Sequence, residues 1–184
     1  MTELDLLATE IGAVGRTLRR AAARGSIRLR RTSPYKVEIS AEERRYIRRR
    51  WPLLRALTAA FRTEHNVQVA VLYGSAARGD DTPRSDIDLI VKLGDSRRGL
   101  PLARLALKLE ALLGLPVQIL SLREAESSPA LLAEAVRDGR VIVDRDGIWD
   151  RLQRREGQLL RRARAADAEL QAAASDALEQ FAIE

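Results

Sequence analysis

Apolar positions recur at helical spacing over the first 25 residues. Leu4, Leu7, Ala8 and Ile11 follow Thr2 and stop at Gly12, then Val14, Leu18, Ala21 and Ala22 stop at Gly25. This predicts two short helices joined by a glycine turn, the second carrying Arg16, Thr17, Arg20 and Arg24 on its outer face. The period then falls to two. Ile27 and Leu29, then Val37 and Ile39, alternate with Arg28, Arg30, Lys36 and Glu38 around a Thr-Ser-Pro turn, the pattern of a small hairpin. Ser40 with Glu43 three residues on opens a further helix towards His65 that buries Tyr46, Ile47, Leu53, Leu54, Leu57 and Phe61. Pro52 is placed to kink or split it.

From Val67 the texture becomes mixed. VQVAVLY, DIDLIVKL, PVQILSL and RVIVDRD read as four strands, and LARLALKLEALLG and SPALLAEAVRDG read as helices between them. From Ile148 to the end, Leu152, Leu159, Ala163, Leu170, Ala174, Leu178 and Phe181 mark one long amphipathic helix, suited to packing across the domain or to pairing in a homodimer. The expected organisation is a module at 1–40, a connecting helix at 41–66, an α/β unit at 67–147 and a C-terminal helix at 148–184.

Composition narrows the chemistry. There is no cysteine and one histidine, so thiolate and histidine-cluster metal sites are excluded within the chain, and any metal must be held by oxygen. The acidic, amphipathic N-terminus is unlike a signal peptide and no apolar run reaches membrane-spanning length, from which a cytoplasmic protein is expected. Residues 1–66 hold 15 Lys and Arg against 7 Asp and Glu, while the rest holds 17 against 19. A basic first module beside a mildly acidic second one is the footprint of a nucleic-acid partner. Aromatics at 4% argue against base stacking on single strands, leaving duplex DNA.

The segment GSAARGDDTPRSDIDLIV, residues 74–91, carries the candidate catalysis. Asp86 and Asp88 lie two apart in a strand pattern, so both carboxylates are expected on one face. Two such charges need a cation between them, and two carboxylates suit Mg²⁺, which completes its shell with water and phosphate oxygens. Gly74 and Ser75 close the preceding strand, where a residue without a side chain lets backbone approach phosphate. Arg78 adds a positive charge.

These residues resemble the Gly-Ser, ten residues, Asp-x-Asp signature of the DNA polymerase β-like nucleotidyltransferase superfamily, in particular its minimal nucleotidyltransferases. The resemblance covers roughly 67–147, centred on Tyr73–Gly79 and Ser85–Leu89. It implies an α+β fold with a small mixed sheet. It also implies Asp86 and Asp88 as metal ligands and catalytic residues, with Gly74, Ser75, Arg78 and Ser85 about the triphosphate of ATP. Members of the family include antitoxins that transfer AMP from ATP to a partner toxin. Active members commonly carry a third carboxylate on the next strand, where this chain has Gln118; an amide neither accepts a proton nor holds a second metal strongly. Glu124 and Glu126 are the neighbouring acids available to replace it.

The first 40 residues resemble a winged helix-turn-helix. That resemblance implies Arg16, Thr17 and Arg20 facing the major groove and Arg28, Arg30 and Lys36 on the wing at phosphate or the minor groove. Two readings follow. One is a DNA-linked, antitoxin-like transferase that moves AMP to a protein or small hydroxyl acceptor. The other is a non-catalytic, nucleotide-sensing transcriptional regulator, which Gln118 favours.

Overall fold

The computed structural model describes residues 2–33, 36–94 and 102–181. Helices α1 (Glu3–Glu10) and α2 (Gly15–Arg24) come first, then the antiparallel strands β1 (Arg30–Ser33) and β2 (Lys36–Glu38). Thr2 caps α1 in a reciprocal box with Asp5, worth ~1 kcal/mol, and Gly25 ends α2 at φ +89, where a side chain would be strained. The Asp5 carboxyl also accepts from Arg19 Nη1 at 2.8 Å, joining the two helices; the Thr2 bonds and then Arg19 lower its pKa to about 2. The hairpin is shorter than the alternation predicts: Arg28 and Leu29 precede it, and Val37 is 38% exposed where the period placed it inward. Of the expected Thr-Ser-Pro turn, Thr32 and Ser33 belong to β1 instead, and position 34 lies outside the described residues.

Helix α3 (Ala41–Arg62) is continuous through Pro52. Ser40 caps it as its sequence predicts, and Tyr46, Ile47, Trp51, Leu54, Leu57 and Phe61 are buried along it. The sheet follows, with β3 (Val67–Tyr73), β4 (Ile87–Leu93), β5 (Val117–Ser121) and β6 (Arg140–Asp144) in the order β5-β4-β3-β6. Among the described strands only β4 and β5 run parallel, so the sheet is mixed. Helix α4 (Gly74–Arg78) leaves β3, and α5 (Leu102–Leu113) links β4 to β5 as a parallel pair requires. Helices α6 (Leu122–Glu126) and α7 (Pro129–Asp138) lead to β6.

Strand alternation sends side chains into two cores. Ala70, Leu72, Leu89 and Val91 pack with α1, α2, α3 and α5, while Val69, Val71 and Ile90 pack with α6, α7 and Trp149. The first module therefore shares one apolar core with the sheet. The C-terminal segment is two helices rather than one: α8 (Ile148–Gln153), then α9 (Glu156–Phe181), with a break at Arg154 and Arg155. Leu159 and Ala163 bury the start of α9 beside α7, whereas Leu170 is 70% exposed. No described helix is long and apolar enough to cross a membrane.

A buried ion pair ties the modules together. Arg140, 2% exposed, donates from Nη1 and Nη2 to Glu43 at 2.6 and 3.0 Å, from Nε to the Ala77 carbonyl at 2.7 Å, and from Nη1 to the Ser26 carbonyl at 3.4 Å. Its guanidinium carbon stands 3.3 Å from the centroid of the Tyr46 ring. Glu43 also accepts from the Arg28 backbone N–H at 2.9 Å. One guanidinium thus contacts the turn after α2, α3, α4 and, through its own backbone, the sheet.

Candidate active site

Strand pairing assembles the site. Tyr73 pairs with Asp88 across β3 and β4, and Asp88 pairs with Gln118 across β4 and β5. The end of β3, the start of β4 and the start of β5 therefore meet at one end of the sheet. Gly74 follows at φ +68, and a Cβ there would stand 2.7 Å from Asp88 Oδ2. Both the backbone angle and the space require glycine, and its bare backbone lies against the carboxylate.

Asp86 sits just ahead of β4 rather than inside it, yet the site still includes it: Gln118 Nε2 donates to Asp86 Oδ2 at 2.7 Å. Burial and then the neighbouring Asp86 charge hold the Asp88 carboxyl above its ordinary pKa, with Arg78 opposing. Tyr73 is likewise pushed up, by burial and then by Asp88 and Glu134. No described group of three or more His, Cys, Asp or Glu side chains is placed to hold a metal. Two carboxylates, one raised by burial and then by the other's charge, form a donor set that fits Mg²⁺ with its remaining ligands from water and phosphate.

The ten residues between Ser75 and Asp86 are held at both ends. The Ser75 carbonyl accepts from Gly79 N at 2.7 Å and Asp80 N at 3.2 Å, leaving the Ser75 hydroxyl without a hydrogen bond among the described residues. Ser85 is spent on the loop itself, since its Oγ accepts from Thr82 N at 2.9 Å. Arg78 pairs with Asp80 at 3.1 Å and with Glu134 of α7. From the other side, α3 grips the segment: Tyr46 Oη donates to the Ala76 carbonyl at 3.2 Å, and Arg50 pairs with the 5% exposed Asp81.

Glu124 and Glu126 lie at the far end of β5 from Gln118. The Glu124 carboxylate is taken up by Ser121 in the cap of α6, which lowers its pKa, so neither acid stands in for the third carboxylate. In the first module Arg16, Arg20 and Arg30 are exposed. Thr17, also exposed, borders a cavity between α2 and α3 shared with Arg24, Trp51 and Arg55. Arg28 does not sit on the hairpin: its Nη2 donates to the Asp138 carbonyl at the end of α7 at 2.5 Å. The Lys36 side chain lies outside the described residues. Arg140, Glu43 and Tyr46 carry no sequence signal of their support role, because partners 97 residues apart leave no periodic trace.

The mixed sheet with its glycine turn and carboxylate pair defines a nucleotidyltransferase fold. The model of the family described as polymerase beta, nucleotidyltransferase matches residues 55–148, over half the chain, and the chain belongs to that family. A stretch of 58 residues is 40% identical to MJ0435 of Methanocaldococcus jannaschii, whose name assigns it, provisionally, protein adenylyltransferase activity. The match takes in 32% of this chain and 62% of that protein, so the chain spans less than two thirds of its relative. A chain of a toxin–antitoxin crystal structure with AMP-PNP superposes with a TM-score of 0.52 at 24% identity, covering 68% of this chain and 98% of that one. A chain from the complex of tri-AMPylated Shewanella oneidensis HEPN toxin with MNT antitoxin gives 0.50 at 22%, covering 70% and 98%. At these identities the likeness shows the fold.

Proposed function

We propose that the chain binds ATP with Mg²⁺ at Asp86 and Asp88 and transfers AMP to a hydroxyl of a partner protein, in the manner of an antitoxin. The observation that carries this reading is the contact of Gly74 with Asp88, which sets bare backbone against a carboxylate whose charge the neighbouring Asp86 also feels. In the transfer, an acceptor oxygen bonds to the α-phosphorus, the bond from that phosphorus to the bridging oxygen of the β-phosphate breaks, and pyrophosphate leaves. The acceptor's proton passes to solvent, since Gln118 accepts none. Bound Mg²⁺ would supply charge neutralisation at the phosphates and acidify the attacking hydroxyl. The residues do the rest: the free Ser75 hydroxyl donates to phosphate, and the Arg78 charge, held by Asp80 and Glu134, stands beside Asp88.

The names of the relatives support protein as the acceptor class and ATP as the donor: MJ0435 for protein adenylylation, and the toxin–antitoxin chains for AMP-PNP and AMPylated toxin. The first module, read as a winged helix-turn-helix, adds DNA binding through Arg16, Thr17, Arg20 and Arg30. A second reading, a nucleotide-sensing regulator without catalysis, draws on the Gln118 bond that occupies one Asp86 oxygen.

The test is calorimetry of ATP with and without Mg²⁺ on the chain carrying Asp86→Asn and Asp88→Asn. Magnesium-stimulated binding is expected to disappear while the thermal melt stays cooperative. Unchanged binding in the double variant would remove the carboxylates from the site. Label from α-labelled ATP appearing on a co-purified partner then separates transferase from sensor.

A further inference from the structure

Arg45 and Arg49 stand one turn apart on α3, on the side turned towards the loop after α4. With Glu42, Tyr46, Arg78 and Gly79 they line an open cavity of about 270 Å³. Three arginines therefore border one space with the Glu42 carboxylate; Arg78 is paired with Asp80 and Glu134, so the charge not already matched comes from Arg45 and Arg49. The neighbouring arginines of the helix are treated differently: Arg44 pairs with Glu3, Arg48 with Glu10 and Arg50 with Asp81. Arg45 and Arg49 are exposed and have no ion-pair partner among the described residues. Like charges four apart on a helix repel, so this pair costs helix stability until an anion sits between them.

The loop is shaped to let the arginines in. Gly79 sits at φ +89, and a Cβ there would meet the Tyr46 ring at 2.9 Å and Arg49 Nη2 at 3.1 Å. Glycine is what allows the guanidinium of Arg49 to close over the loop backbone. The floor is rigid, because the Tyr46 ring is stacked against buried Arg140 and its hydroxyl is tied to the Ala76 carbonyl. Planar guanidiniums over a fixed floor favour a tetrahedral oxyanion that takes several donors at once.

We propose that this cavity is a phosphate-binding site, separate from the carboxylate pair and able to fill without metal. Two sources offer that chemistry, a free polyphosphate and the backbone of a polynucleotide, and the experiment distinguishes them. Arg78 joins the cavity to the carboxylate site, so a phosphate held here lies beside the nucleotide rather than in its place.

Calorimetry would use the full chain carrying Asp86→Asn and Asp88→Asn, in EDTA, with inorganic pyrophosphate and with an oligonucleotide lacking terminal phosphates. Adding Arg45→Gln and Arg49→Gln is expected to weaken at least one probe by ~10-fold or more, the size of one or two lost charge-assisted bonds. Glu42→Gln should do the opposite and tighten the same probe, because it removes the carboxylate that lines the cavity beside Arg45 and Arg49, while Asp80 and Glu134 stay paired with Arg78. A response of pyrophosphate alone assigns the site to small phosphates. A response of the oligonucleotide that persists with Arg16→Ala and Arg20→Ala present assigns it to a polynucleotide backbone. The proposal is overturned when neither probe binds, or when affinity is the same with and without the two arginines. Should the arginine variant melt early, the Glu42→Gln arm decides alone, and an unchanged affinity there also overturns the site.

Discussion

Nε2 of Gln118 reaches Asp86 Oδ2 at 2.7 Å from the strand position paired with Asp88. The amide neutralises nothing; it donates one proton to a carboxylate and accepts none in return. If the transfer proposed above is limited by a missing base, Gln118→Asp should raise it by about 10²–10⁴-fold, the usual worth of a positioned base. The same change replaces a donor by a third negative charge. Asp88 is already held above its ordinary pKa by burial and Asp86, so the variant should melt lower without Mg²⁺ and recover when Mg²⁺ is added. Label transferred from ATP and melting curves with and without the ion read both effects. Strong transfer by the native chain, with no gain in the aspartate variant, would mean that another group already takes the proton.

At the scale of elements, α3 and β6 hold the segment between the glycine turn and the carboxylate pair. Glu43 and Arg140 are 6% and 2% exposed, so removing one leaves the other charged in a dry place. Glu43→Gln should therefore cost ~3–5 kcal/mol of unfolding free energy, whereas Glu43→Leu with Arg140→Met should recover much of it, because well-packed apolar replacements spare the desolvation of both ions. Urea unfolding of the single and double variants measures this, and equal stability of all three would show the pair is not buried in solution. The elements themselves were largely legible. Thr2, Ser40, Gly12 and Gly25 marked helix ends by capping and turn chemistry, and short, mostly apolar runs located β3 to β6. Gly74, Asp86 and Asp88 were legible as a candidate site because a family signature fixes their spacing, and Gln118 because the family's third carboxylate falls on the next strand. What local pattern does not carry is pairing across the fold. Nothing near Arg28 announces the Asp138 carbonyl, and nothing near Pro52 announces that α3 stays whole. The break at Arg154 and Arg155 falls in a polar gap between Leu152 and Leu159 that the single-helix reading bridges.

At the scale of the whole molecule, the basic excess lies in the first 66 residues, and those residues share a core with the sheet that carries the site. Part of that charge is consumed internally: Arg44, Arg48 and Arg50 are in ion pairs and Arg28 is turned to α7. Arg16, Arg20 and Arg30 remain exposed, two on α2 and one at the start of the hairpin. If the module binds duplex DNA, affinity should fall steeply with salt, by roughly 0.9 in log–log slope for each phosphate neutralised. The three arginines should then separate by role. Arg16→Ala with Arg20→Ala should flatten the preference among sequences recovered from genomic fragments, while Arg30→Ala should lower the salt slope by about 1 and leave the preference alone. Arg28→Ala should change neither, because its guanidinium is bound to the Asp138 carbonyl; its effect should appear in the thermal melt. Selection that enriches no sequence, together with affinities indifferent to Arg16, Arg20 and Arg30, would reduce the module to a cap that closes the shared core.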